Sequence, residues 1–208
     1  MKYENILIAS TTRTGSTYLT NFLHNNLKAF LIQNSGKDNN IDPKNITLST
    51  KKHNILHFHD SHFDLAELPN TNQWHLILST RNNKFDQVCS YCLAHHTGQW
   101  QTYNYYNFKV KLSMRDFIIE YEKILEIENR WKQLANQSKF KSFTEITYES
   151  LLTTNLLNTL TNTLNVQLAE TNCVTEYSQK SPYIKQKVIS NYNEIKKKFE
   201  DYLNSKNR

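Results

Sequence analysis

The sequence predicts a three-layer α/β/α domain built around a central parallel sheet. Three observations carry that expectation. Short apolar runs alternate with helix-period patterns along the chain, the order in which strands and crossover helices build a parallel sheet. Two of those runs, Asn5–Ala9 and Trp74–Ser79, are nearly unbroken in apolar residues, as strands covered on both faces are. A length of 208 residues, 38% hydrophobic and 12% aromatic, suits a single domain spanning residues 1–208 with a buried core.

Four runs read as strands: Asn5–Ala9 (NILIA), Asn54–His59 (NILHFH), Trp74–Ser79 (WHLILS) and Ser142–Thr147 (SFTEIT). Between the first two, Ser16 to Leu27 places Tyr18, Leu19, Phe22, Leu23 and Leu27 at helical spacing. Asn83 to His96 does the same with Phe85, Val88, Cys89, Cys92 and Leu93. The clearest helix runs from Ser113, read as its N-cap, to about Asn136, with Met114, Phe117, Ile118, Tyr121, Ile124, Leu125, Trp131 and Leu134 as its stripe. Near the end, Ser181-Pro182 starts a helix in which Val188, Tyr192, Ile195, Phe199 and Tyr202 recur every three or four residues. The stretch Asn34–Asn45 reads as an irregular loop, and Gly98–Asn107 as a second, aromatic one.

Composition excludes several classes. Only three glycines and three prolines disfavour collagenous, linker-like and turn-rich sandwich chains. Three cysteines, an odd number, do not suggest a disulfide framework. The start MKYENILIAS lacks the long apolar stretch of a signal peptide, and no eighteen apolar residues run together. The expectation is therefore a cytoplasmic protein without a membrane span. A net charge of +6 suits a polyanionic ligand without choosing between nucleotide and nucleic acid.

The sharpest signal follows the first strand. Ser10-Thr-Thr-Arg-Thr-Gly-Ser-Thr17 joins a buried strand to a helix, an anion-binding arrangement. Gly15 permits a tight turn around a phosphate, Arg13 adds charge, and Ser16 and Thr17 add hydroxyl donors. The triphosphate loop GxxxxGK[ST] is not met: Ser10 replaces its first glycine and Ser16 its lysine. Ordinary ATP or GTP hydrolysis is accordingly not expected.

The segment TTRTGSTYL resembles the loop of the sulfotransferases that use 3′-phosphoadenosine 5′-phosphosulfate (PAPS), roughly P-[RK]-S-G-[ST]-[ST]-x-L. Arg13, Thr14, Gly15, Ser16 and Thr17 fall on that pattern in register, and Thr12 stands at its usual proline. The resemblance implies a fold of the P-loop nucleotide-binding type, with these residues holding the 5′-phosphosulfate.

Arg81 ends the third strand run and Ser90 follows nine residues later on the next helix. An arginine there forks onto a phosphate while a helix-face serine donates to it. In the sulfotransferases such a pair binds the 3′-phosphate, and the R-x-x-K-x-x-Q-x-x-S spacing is similar to the bacterial trehalose sulfotransferase type. Ile146–Leu152 is similar to the family's structural I-x-Y-E-D-L segment. Tyr177–Pro182 is similar to the bacterial tail that closes over the nucleotide, where Lys180 or Lys185 is either a 3′-phosphate ligand or a solvated lysine.

Sulfuryl transfer to a hydroxyl needs a base, fixed cations and in-line reactants. Arg13 is the natural cation, and no metal is expected because cations fixed by the protein suffice. His57 and His59 share one face of the second strand run, and histidine suits a base near neutral pH. By resemblance to the K-T-H segment of cytosolic members, His57 falls on the catalytic lysine and His59 on the histidine base. The bacterial type uses a glutamate after the first helix instead, but Lys28–Asn45 holds only Asp38 and Asp42 as acids. His59 is thus the expected base, with His57 as helper.

Other readings stay open. His57, His59 and His62, with Asp60 or Asp64, could supply zinc ligands. Cys89 and Cys92 have redox spacing but lie on an apolar helical face, where core packing is the simpler reading. Trp100–Phe108 either stacks on a sugar or base or packs as a lid, and Lys196–Lys198 reads as a solvated face. The expected activity is PAPS-dependent transfer to a hydroxyl acceptor, a small molecule, carbohydrate or glycan. The alternatives are a small P-loop kinase and a non-catalytic nucleotide- or polyanion-binding module.

Overall fold

The structure is a computed structural model that describes residues 4–33, 46–59, 68–100, 107–137, 140–152, 155–166, 168 and 182–206. Five strands, β1 (Asn5–Ser10), β2 (Phe30–Gln33), β3 (Asn54–His59), β4 (Trp74–Thr80) and β5 (Ser142–Thr147), form one sheet in the order β2-β3-β1-β4-β5. Every pairing in it is parallel. Among the described residues the α-helices are α1 (Ser16–Leu27), α2 (Lys84–Thr97), α3 (Met114–Gln137), α4 (Asn155–Leu164), α5 (Pro182–Val188) and α6 (Tyr192–Lys206). The chain divides into two compact units, residues 1–82 with 127–176 and residues 83–126 with 177–208.

The first unit holds the sheet. Alternate residues of a strand face opposite ways, and both faces are covered here. Ile6, Ile8, Ile55, Ile77 and Ile146 pack with Leu19, Phe22 and Leu23 of α1 and Leu156, Leu160 and Leu164 of α4. Their neighbours Leu7, Ala9, Leu56, Phe58, Leu76 and Leu78 pack with Ile127, Trp131 and Ala135 of α3. Two covered faces explain why all seven residues of β4 are buried, in accord with its nearly unbroken apolar run.

The expected strands recur, β1 and β4 each reaching one residue further than the apolar pattern. Strand β2 and helix α4 go beyond that pattern. The four residues of β2 are too few to show a period, and Phe30 is 44% exposed on the sheet edge.

In the second unit, α2, α5, α6 and the first part of α3 share a core that includes Val88, Cys89, Leu93, Phe117, Val188, Ile195 and Phe199. The helix expected to continue from Pro182 through Tyr202 is two helices. Val110 pairs with Ile189 in an isolated bridge. Its N–H donates to the Val188 carbonyl (2.9 Å) and its carbonyl accepts from Ser190 N–H (2.8 Å). Asn191 then accepts from Leu112 N–H and donates to the Leu112 carbonyl, each at 2.9 Å. These bonds draw the backbone out of helical pairing between α5 and α6.

Lys185 is 1% exposed, and its ammonium pairs with the Asp86 carboxylate and donates to the Asp86 carbonyl at 3.2 Å. Breaking one side of a buried pair strands the other charge. Asp86→Ala should therefore lower unfolding stability by about 3–5 kcal/mol, whereas Asp86→Leu with Lys185→Met should cost far less. Urea titration of both variants against the parent protein measures the difference.

Candidate functional site

The site is built on the carboxyl end of β1, the middle strand of the sheet. From β1 the chain travels to β2 on one side, and from β4 it travels to β5 on the other, so the crevice between β1 and β4 is the topological switch point. The loop Thr11–Gly15 sits there.

Two residues turn that loop. Gly15 has φ 77° and Arg13 φ 67°, both left-handed. The cost is small for glycine but roughly 1–2 kcal/mol for arginine. A non-glycine residue held in that region is the kind of strain that functional loops retain. Helix α1 then starts at Ser16 with Gly15 as N-cap and no side-chain cap. In any α-helix the first N–H groups lack intrahelical acceptors, and here no cap side chain occupies them.

The loop is fixed from beneath. The Ser79 hydroxyl on β4 lies 3.3 Å from the Thr14 carbonyl and 3.1 Å from the Thr14 hydroxyl, which itself donates to the Thr11 carbonyl at 3.2 Å. Thr14 is fully buried, so its hydroxyl braces the loop from inside. The Thr11 hydroxyl donates to the buried Glu128 carboxylate of α3 at 3.2 Å.

Arg81, just past β4, lies against the same loop. Its Nη1 donates to the Arg13 carbonyl at 3.4 Å, and its guanidinium sits 4.3 Å from the centroid of the Tyr148 ring. That stacking orients the planar fork. Tyr148 also closes on the glycine: a Cβ added to Gly15 would lie 2.6 Å from Leu151 Cδ1 and 3.0 Å from Tyr148 Cδ2. The segment after β5 is anchored by Tyr148 N–H on the Thr80 carbonyl (2.8 Å) and by Asn82 N–H on Glu149 (3.0 Å).

On the α1 face of the sheet, Ser10 is level with His59 of β3 and Ser79 of β4. The Ser10 hydroxyl lies 2.9 Å from His59 Nδ1 and 3.3 Å from His57 Nε2. His59 Nδ1 is also 3.2 Å from the Ser10 carbonyl, and the two imidazole centroids are 5.0 Å apart. His57 is fully buried while His59 is partly exposed. Burial, with the neighbouring His59 adding to it, pushes the His57 pKa well below the usual histidine range, to about 3.

Ser16 is buried and Thr17 half-buried at the start of α1. Ser90 is buried on α2 in the second unit. Lys185 faces Asp86 within that unit rather than solvent. Cys89 and Cys92 are thiols buried in its core. Burial, then Glu120 and Asp116, pushes the Cys92 pKa up to about 12, which suits packing rather than redox chemistry. Lys196–Lys198 are exposed, with Lys198 paired to Glu194. Trp100 packs edge-on against Tyr91. Asp38, Asp42, Asp60, His62, Asp64, Lys180 and most of the Trp100–Phe108 segment lie outside the described residues. Among the described residues no three His, Cys, Asp or Glu side chains are placed to hold a metal ion. Ser79, Tyr148, Leu151 and Glu128 are parts of the site that sequence reasoning does not find. Each reaches the loop across more than a hundred residues or across a strand pairing that no local pattern encodes.

Compared with protein-family models, with curated proteins and with solved structures, the chain matches none.

Gly15→Ala should cost about 1–2 kcal/mol from backbone strain alone, with further loss from the clash. Adding Leu151→Ala should recover only the clash part, so a double-mutant cycle by denaturant unfolding will show coupling between the two sites. His57 supplies a second test. Its folded pKa lies below the unfolded value, so the unfolded chain binds the extra proton and stability falls as pH drops from about 6.5 towards 3. His57→Gln should flatten that acid loss, read as the difference in unfolding free energy from the parent protein across the same pH window.

Proposed function

We propose that the protein is a P-loop-type sulfotransferase that moves the sulfuryl group of PAPS to a hydroxyl acceptor, a carbohydrate or glycan being the favoured class. One observation carries the reading. A glycine-turned, arginine-bearing loop lies at the switch point of a parallel sheet, with a second arginine stacked beside it. Its lysine position is filled by Ser16, so it offers anion-binding N–H groups and guanidinium charge without the residue that triphosphate chemistry uses.

In this reading the N–H groups at the start of α1 and the Arg13 side chain hold the 5′-phosphosulfate, and Arg81 takes the 3′-phosphate. The acceptor oxygen bonds to sulfur as the bond from sulfur to the phosphate oxygen breaks, and that electron pair leaves on the 5′-phosphate. The acceptor proton passes to His59. Arg13 offsets negative charge that grows on the leaving phosphate. His57, neutral and buried, supports His59 rather than sharing its charge. We place the protein in the cytoplasm, the default compartment for a chain whose cysteines do not suggest a disulfide framework.

Calorimetric titration with 3′-phosphoadenosine 5′-phosphate, 5′-AMP and ATP–magnesium tests the proposal. The bisphosphate should bind at least roughly tenfold more tightly than 5′-AMP, a preference of about 1.4 kcal/mol or more, and Arg81→Ala should remove most of it. Equal or better binding of ATP–magnesium, indifferent to Arg81, would instead favour a small kinase. Salt-sensitive binding of generic polyanions with no preference for a 3′-phosphate would favour a non-catalytic binding module.

A further inference from the structure

We infer that Ser10 and His57 are positioning residues that fix the tautomer of His59, leaving its hydrogen on Nδ1 and its lone pair on Nε2. The Ser10 main-chain carbonyl can only accept a hydrogen bond. It lies 3.2 Å from His59 Nδ1, a contact that favours the hydrogen on that nitrogen. The Ser10 hydroxyl is 2.9 Å from the same Nδ1 and receives the same donor. Its own hydrogen then points to the other nitrogen in reach, His57 Nε2 at 3.3 Å.

The result is a directed chain, His59 Nδ1–H to Ser10 Oγ, then Ser10 O–H to His57 Nε2. His57 in turn carries its hydrogen on Nδ1, which is buried with no hydrogen-bond partner among the described residues. A fully buried imidazole that keeps one nitrogen unmatched is costly, and its retention fits a role in directing the serine hydroxyl. Ser10, His57 and His59 therefore work as an orienting relay built on three side chains of two paired strands. Burial keeps His57 neutral, so any proton gained at His59 Nε2 stays on His59, its Nδ1–H facing two oxygens.

The relay rests on the sulfotransferase reading for its purpose, since there His59 takes the acceptor proton, but the tautomer itself is measurable without that reading. In the ¹⁵N-labelled protein at neutral pH, two-bond proton–nitrogen correlation spectra separate protonated from lone-pair imidazole nitrogens. The expected spectrum has His59 and His57 both protonated on Nδ1. Ser10→Ala keeps the carbonyl contact but loses the shorter hydroxyl contact, so the His59 nitrogens should shift part of the way towards a mixed-tautomer position, and Ser10→Thr, which keeps the hydroxyl, should restore them. A His59 protonated on Nε2 in the parent protein overturns the inference, as do unchanged His59 shifts in a folded Ser10→Ala. Should Ser10→Ala not fold, the parent spectrum alone decides. Failure to bind the bisphosphate would sink the sulfotransferase reading and leave these spectra, and what they say of Ser10, unaffected.

Discussion

The level, parallel pairing of β1 with β3 on one side and β4 on the other is the constraint on which the rest of the first unit depends. It sets Ser10, His59 and Ser79 in one row at the carboxyl edge. Because β1 is covered on both faces and paired on both edges, its end cannot drift, and whatever leaves it must turn within a few residues. The left-handed backbone at Arg13 and Gly15 is the local answer to that demand. The Ser79 and Thr14 hydroxyls beneath it donate to the Thr14 and Thr11 carbonyls.

The two ends of the sheet solve the polar-burial problem differently. At the amino end, Glu4 receives Lys141 and His75, while His75 Nδ1 lies 2.6 Å from the Ser142 hydroxyl. Burial alone would raise the Glu4 pKa, but the bonds from Lys141 and His75 outweigh it and hold the group below the usual glutamate range. There the charged pair is Glu4 with Lys141, and burial holds His75 below the usual histidine range. At the carboxyl end, hydroxyls and imidazoles line the strands and the arginines stand at the loop. The asymmetry matches what a parallel sheet offers, with ligands collected at one end only.

Much of this is legible in the sequence. Strands β3 and β5 and helix α1 coincide with their expected spans, because burial on one or both faces writes a period into the chain. The Arg13–Thr17 loop and Arg81 are legible because scarce glycine and strand-end charge stand out locally. What stays hidden is non-local. Leu156, Leu160 and Leu164 mark α4 at a helical interval, yet the intervening asparagines and threonines are weak helix formers and mask it. The break between α5 and α6 depends on Val110, far earlier in the chain, and no window around Ile189 contains that partner. Likewise Thr14 is legible as a loop residue, but its inward-facing hydroxyl follows from Ser79 on a neighbouring strand.

The strand order has a consequence for how the chain is made. Strand β1 leaves the ribosome before the other four, yet its register joins Asn5 to Asn54 and to Trp74, and β4 finds its outer neighbour only when Ser142 appears. The most apolar segments of the sheet therefore emerge early and wait for partners synthesised much later. Such non-local pairing slows folding and leaves strand edges open in the interval. A nascent chain of this topology spends its most vulnerable period with its central strand complete and its sheet unfinished, which makes synthesis rate and chaperone capture determinants of its yield.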